Sequence, residues 1–418
     1  MKRMIEFMSP NNPSPKSFYL SSSSKEAPLG VQASTSEDEG FRVPRIELEL
    51  AYLKHSLTFN AINRNVQTIL TTRERLVHPN PEVVKYFTNF LADIGTRGSQ
   101  LTWRELKEII FRYQLIYGPQ FTELIQDKSG KEILDLDSID PKQMDYAKSN
   151  GTTIVMDKND NPIGYVQTVP QEYTQDMNPA VKVPEGVTLE GNQIFIPASR
   201  IAQFKFWTIG PGFYPIGLIE PAYESVKTVL LLNKDYAKRA HTILFPTRVA
   251  TVGDENHEPS PEKVRNISNN MKKATAATEI AIPYHVKMAI MESKNPDSMK
   301  TFLEYFNQSV IEASGVPAPY ATGQGKNTNK ATLQKLNQMF EMGLKDYVER
   351  TCRSIEHNIF RPIALKNGIP GYPRIQIGPI GVDERSEKYK RLIGYIKEGV
   401  FKPEELHKYI AEMEDIDL

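Results

Sequence analysis

The residues best able to do chemistry in this chain are a Gly325-Lys326 pair in a polar loop, a single cysteine, seven histidines and several close carboxylate pairs. A phosphate cradle of the form GxxxxGK[ST] needs a glycine five residues before the second one and a hydroxyl after the lysine to reach magnesium. Here Tyr320 stands five before Gly325, and Asn327 follows Lys326, so the spacing fails at both ends. The histidines, at positions 55, 78, 241, 257, 285, 357 and 407, contain no HExxH and no i, i+4 pair, which leaves helical metal ligation without support. Cys352 falls inside a long helical pattern rather than on the strand-to-helix turn that presents a nucleophile, and no GxSxG elbow occurs. It reads as a small buried thiol. Asp135 with Asp137 and Glu404 with Glu405 bring no partner groups and read as solvated faces or helix-start charges. The expectation is a protein with no catalytic residues, no metal and no cofactor.

Lys plus Arg number 51 against 51 Asp plus Glu in 418 residues, so bulk positive charge cannot hold nucleic acid and only a local basic surface could. A chain of this length can bury a large core without staples, and suggests roughly two to three domains. One cysteine excludes an internal disulfide and fits a reducing compartment. The start, MKRMIEFMSP, lacks the apolar stretch of a secretory signal, so secretion is not expected. The strongest apolar run, Val229 to Leu232, meets Asn233-Lys234-Asp235 and is far short of a membrane span.

Residues 1–44 are rich in serine and proline, have no apolar period, and read as a mobile arm. From Arg45 helical spacing runs through Ile46, Leu48, Leu50, Leu53, Leu57, Ile62, Val66 and Ile69; a second helix spans Pro81 to Asp93. Thr102 and Glu105 make a capping box that opens a third helix to about Tyr117, where Gly118-Pro119 stops it. Short β-like runs follow: Phe121–Gln126, Thr152–Met156, Ile163–Val169 and Gln193–Ile196. Helical spacing returns over Pro221 to Ala240, with Val226, Val229, Leu230, Asn233 and Ala237 near one face. A small mixed module, Thr242 to Glu292, separates this helix from another over Asp297 to Ser314, whose Phe302, Tyr305, Phe306, Val310 and Ala313 share a side. After a polar loop, a long helix is predicted from Ala331 to about Phe360, then a strand at Arg374–Ile377 and a helical pair over Asp383 to Met413, broken near Gly399. The fold class is α+β, mainly helical.

Two helices flanking a small module, a basic glycine-rich loop and a very long helix, in this order, resemble the portal proteins of tailed double-stranded-DNA viruses. The resemblance runs from about Arg45 to Leu418. It rests on FLEYFNQSVIEASGVPAPYATGQGKNTNKATLQKLNQMF (Phe302–Phe340), FWTIGPGFYPIGLIEPAYESV (Phe206–Val226) and LIYGPQFTELIQDKSGKEILDLDSIDPKQM (Leu115–Met144), the last with Pro119 where the family pattern has Asn. It implies a ring, usually of twelve copies, at one capsid vertex of the virion, made in the host cytoplasm. Double-stranded DNA would pass through it during packaging and ejection. The major capsid protein, the terminase large subunit and head-tail connector proteins would be its partners, with no membrane. It further implies a mobile arm (1–44), a wing (45–220), a stem helix (221–240), a clip (241–296), a second stem helix (297–316), a tunnel loop (317–330), a long wing helix with return strand (331–380) and a crown (381–418).

On that resemblance Gly323, Gln324, Gly325, Lys326, Asn327, Thr328, Asn329 and Lys330 face the DNA. Two lysines per copy, repeated around a ring, give a positive collar while the total charge stays zero. Read from the residues alone, Lys326 and Lys330 fit equally well in a solvated loop before a helix capped by Thr328 or Asn329. Lys234, Lys238 and Arg239 either line the channel or pair across subunits. The acidic end, with Glu412, Glu414, Asp415 and Asp417, reads as a solvated tail or as crown carboxylates that repel DNA. The competing reading is a non-catalytic scaffold or adaptor unrelated to DNA translocation.

Overall fold

The computed structural model describes residues 31–32, 43–72, 74–96, 100–127, 129–170, 182–208, 213–244, 248–253, 258–273, 286–290, 297–323, 329–378 and 393–399. The remainder of the expected arm, most of the expected crown and residues 324–328 of the loop lie outside the described residues. The architecture is mixed helix and sheet: a helical body, a β-rich module beside it, and a helix pair that leaves the body and returns.

After a two-residue strand, β1 (Val31–Gln32), the body opens with α1 (Arg45–Lys54) and α2 (Ser56–Leu70). The sequence pattern reads as one continuous helical run here, but the extended backbone of His55 breaks it, and its side chain caps α2. Strand β2 (Glu74–Val77) follows, then α3 (Pro81–Ala92), where Pro81 fits the first turn because its missing N–H has no helical partner to lose. The predicted capping box is present: Thr102 accepts from the Glu105 N–H and Glu105 accepts from the Thr102 N–H, starting α4 (Trp103–Tyr117).

The β-rich module contains β3 (Gln120–Gln126), β4 (Ile133–Ile139), β5 (Met144–Tyr146), β6 (Lys148–Ser149), β7 (Thr153–Val155), β8 (Gly164–Thr168), β9 (Gln193–Pro197) and β10 (Ile201–Phe204). They form three small sheets ordered β10-β3-β4, β5-β8-β9 and β1-β7-β6, with every pair antiparallel. Strands β4, β5, β6 and β10 have no counterpart in the sequence prediction. A separate core of Phe121, Ile139, Met144, Tyr146, Tyr165 and Ile196 lies between the module's sheets.

Helix α5 (Tyr223–Leu244) runs four residues past its expected end, into β11 (Arg248–Val252), α6 (Pro261–Lys273), β12 (Val286–Ile290) and α7 (Asp297–Ser314). A short helix, α8 (Ala318–Thr322), occupies part of what the sequence reads as loop. Helix α9 (Lys330–Ile355) then continues through a π-helical turn, Glu356–Phe360, into α10 (Arg361–Lys366), with Pro362 tolerated in the first turn. The π turn directs polar side chains sideways. Asn358 donates to the Gln203 carbonyl at 3.0 Å, and Glu356 accepts from the Ile375 N–H at 2.7 Å. These bonds tie the long helix to β10 and to β13 (Arg374–Ile377), which pairs with β2. Residues 393–397 are helical.

The main core joins α1 to α4 with the C-terminal half of α9: Leu344, Tyr347, Val348, Cys352 and Ile355 pack with Phe87, Phe111 and Phe360. Rings meet edge-on or tilted, Phe111 with Tyr347 at 5.6 Å and Phe87 with Phe360 at 5.0 Å, arrangements that add to simple burial.

Two glycines set how the β-rich module joins the approach to α5. A Cβ on Gly118 would stand 2.3 Å from the Pro215 carbonyl oxygen, and one on Gly217 would stand 2.4 Å from that of Ile116. The two backbones cross in contact, and the Leu218 N–H donates to the Leu115 carbonyl at 2.7 Å. Gly217→Ala is expected to cost about 3 kcal/mol through forced separation of this crossing. Thermal melting checks this, and an unchanged Tm would contradict the packing argument.

Candidate functional site

The candidate site is the protruding helix pair with the loop and helix head beside it. Ser225, near the start of α5, lies 3.2 Å from Ser309, near the end of α7, through their hydroxyls. At the other end the strands leaving α5 and entering α7 pair with each other, so the two helices run antiparallel. Val226, Val229, Val310 and Ile311 are buried at the root. Beyond them both helices emerge from the body, and at 1.5 Å per residue α5 is about 33 Å long.

Several contacts fasten the root. The Tyr223 hydroxyl donates to the Glu47 carboxylate on α1, and Asn65 on α2 donates to the Ser314 carbonyl at 3.5 Å. Buried His55 accepts the Thr58 N–H at Nδ1 and is hydrogen-bonded to Asn307 of α7. Desolvation holds its pKa below the usual histidine value, against a smaller opposing effect of Asn307. The neutral ring is therefore favoured in the folded chain, and the unfolded chain takes up a proton first. Stability from His55 is complete above about pH 6.5 and falls as pH drops below it, by at most about 1.4 kcal/mol per unit, until the folded ring also protonates. His55→Asn keeps a capping acceptor without a titrating group and is expected to flatten the change in Tm between pH 7 and pH 5. An equal change in both proteins would contradict this role.

Away from the root, apolar side chains are left in the open. Leu231 is 57% exposed, Phe302 58% and Tyr305 68%, and Tyr236 is also exposed. The antiparallel register through Ser225 and Ser309 sets Leu231 nearly level with Phe302 and within a turn of Tyr305. The sequence reading groups Phe302 and Tyr305 with Val310 on one side of the helix. The structure divides that face, with Val310 buried and the two aromatics in the open. On α9, Leu344, Tyr347 and Val348 are buried but Met339 is 70% exposed and Met342 74%. On α1, Leu48 is buried, whereas Ile46, Leu50 and Leu53 are exposed. Asn233 and Ala237 on α5, grouped by spacing with Val226, are also exposed. The available signal was an apolar face continuing past the length one small body can cover.

Of the expected charged groups, Lys234 is exposed on α5, and Lys238 and Arg239 lie on the same helix with side chains outside the described residues. Gly323 ends α8 in the left-handed region, φ 70°. Across the undescribed residues 324–328, the Asn329 carbonyl accepts the Leu333 N–H at 3.0 Å, putting Asn329 rather than Thr328 at the start of α9. Gly323, Asn329 and Lys330 thus border one gap between α8 and α9, while Lys234 is out on the protruding pair. Cys352 is buried and its thiol is pushed up to about 12, first by desolvation and then by Glu74, so it is no nucleophile. Among the described residues no three His, Cys, Asp or Glu side chains are grouped to hold a metal, and no helix is long and apolar enough to cross a membrane.

No protein-family model matches the chain, and comparison with curated proteins finds no relative. Solved structures do match. The chain superposes on one from the neck of the empty gene transfer agent particle, computed with C6 symmetry, at TM-score 0.58 and 12% identity, covering 89% of this chain and 92% of that one. It superposes on one from the neck of the native particle, computed with C12 symmetry, at TM-score 0.56 and 12% identity, covering 85% and 89%. A looser likeness, TM-score 0.46 at 13% identity over 79% and 94%, is to an HK97-family phage portal protein from Corynebacterium diphtheriae. The fold is that of a chain from the neck of gene transfer agent particles. It agrees with the portal resemblance carried by Phe302–Phe340.

Proposed function

We propose that the protein is a portal: a non-catalytic ring at one capsid vertex of a virion, through which double-stranded DNA is packaged and ejected. The observation that carries this reading is the fold shared, over 89% of the chain, with a chain of a ring-symmetric particle neck. The exposed apolar side chains on α5 and α7 support it, because copies arranged around an axis can cover faces that one copy leaves open.

In this reading residues 45–220 form the wing, α5 as far as Ala240 and α7 the stem, and residues 241–296 the clip that meets the terminase large subunit and later the head-tail connector proteins. Residues 317–330 form the tunnel loop, α9 the long wing helix and residues 381–418 the crown, with the major capsid protein around the outside. Loop lysines Lys326 and Lys330 contact phosphates without reading sequence, and Lys234, Lys238 and Arg239 add stem charge facing the channel or a neighbour. ATP hydrolysis belongs to the terminase.

The test is negative-stain imaging of the purified protein with native mass measurement. Closed rings with a central hole of about 20 Å or more, wide enough for a duplex, are the expected result. Monomers persisting across salt and protein concentration would instead favour a scaffold or adaptor.

A further inference from the structure

Helix α9 carries an interior glycine that its own chain does not need. A Cβ on Gly343 would meet no atom within 4 Å, and glycine is a poor helix former, so neither steric room nor helix stability explains it. At 100° per residue Lys335, Met339, Met342, Gly343 and Asp346 lie along one side of the helix. Leu344, Tyr347 and Val348 fill the core on the other. Gly343 is thus a notch one turn beyond exposed Met339 and beside exposed Met342, a surface that adapts to an incoming ring and favours sulfur–aromatic contact.

Helix α7 of the same chain carries matching features. Phe302 and Tyr305 project one turn apart, and Glu312 lies on the same side, two to three turns further on. Laid antiparallel with Phe302 opposite Gly343, the two faces put Tyr305 level with Met339 and bring Glu312 within two residues, about 3 Å of axial rise, of Lys335. A lysine side chain spans that offset. Asp346 is already paired with Arg350 at 3.0 Å and takes no part in the match.

Resting on the ring reading above, we propose that Phe302 of one copy seats in the Gly343 notch of the next copy, against Met339 and Met342, with Glu312 and Lys335 fixing the direction. The two faces differ, so the contact is head-to-tail, the type that repeats around an axis and closes a ring. A passing helix can approach closely only where the side chain is absent.

Two variants test the proposal in the full chain. In Phe302→Cys with Met342→Cys, mild oxidation should give a ladder of covalent multimers on a non-reducing gel, while either single variant gives none. The native cysteine, Cys352, is buried and gives no background. Gly343→Gln fills the notch with a better helix former, so the folded subunit should keep or raise its Tm while the fraction in rings falls at least tenfold. Wild-type rings accompanied by no ladder and by full assembly of Gly343→Gln would overturn this contact and leave the ring reading standing. A covalent dimer from Phe302→Cys alone would replace it with a two-fold contact, and a wild type that forms no rings would overturn both.

Discussion

Rings are expected to fall apart into folded monomers when Leu231 and Tyr236 are both replaced by aspartate. Both side chains are exposed on α5, beyond the buried root at Val226 and Val229, so the subunit loses no internal packing. In a ring each would be covered by a neighbour, and burying a large apolar side chain contributes about 1.5–3 kcal/mol. Losing two of them removes about 3–6 kcal/mol per contact, before the cost of bringing carboxylates into a covered site. At 1.4 kcal/mol per tenfold, that weakens each contact by at least about a hundredfold. Native mass should show monomer at concentrations where the unaltered protein is a ring, with the far-ultraviolet circular dichroism unchanged. Intact rings would mean that this part of the stem faces the channel or solvent.

The second large effect is expected at the loop between α8 and α9. Lys326→Glu with Lys330→Glu changes the charge by four per copy, and a ring multiplies that change around its axis. Non-specific binding to phosphates follows the number of contacts, and proteins making about 6–10 of them lose about 10³–10⁵ in affinity between 50 and 200 mM salt. The double reversal should lower affinity for an arbitrary duplex by about a thousandfold near 50 mM salt and flatten the salt dependence. Replacing both residues by arginine should preserve binding. If the reversed protein binds with unchanged affinity and slope, these lysines form a solvated loop, and the charge that meets DNA must be sought on the stem at Lys234, Lys238 and Arg239.

Where structure depends on neighbouring residues, the sequence was legible. The capping box at Thr102 and Glu105, α7 over Asp297–Ser314 and β13 over Arg374–Ile377 were read at their observed bounds. Strands whose identity comes from a distant partner were harder. Strand β10 pairs with β3 some eighty residues earlier, and β2 was missed, whereas its partner β13, about three hundred residues further on, carries its own alternation in Arg374–Ile377. The π turn at Glu356–Phe360 was hidden for a related reason, since its polar side chains are committed to Gln203 and Ile375. For the candidate site, spacing identified which residues share a helix face. It could not say what covers that face, and so did not separate buried Val310 from exposed Phe302, Tyr305 and Met339. Gln324 to Thr328 lie outside the described residues, and for Lys330, Lys238 and Arg239 only the helical backbone is described.

The pairing of β11 with β12 has a consequence for how such a chain can diversify. Because Arg248 lies opposite Ile290 and Val252 opposite Val286, the chain leaves α5 and re-enters α7 at adjacent points. Everything between them is a cassette with a fixed doorway. Lengthening it adds only about 0.6 kcal/mol of closure entropy per doubling, and nothing in the body needs re-routing. The tip can therefore change in sequence and size between lineages while α5, α7 and the core that roots them stay as they are.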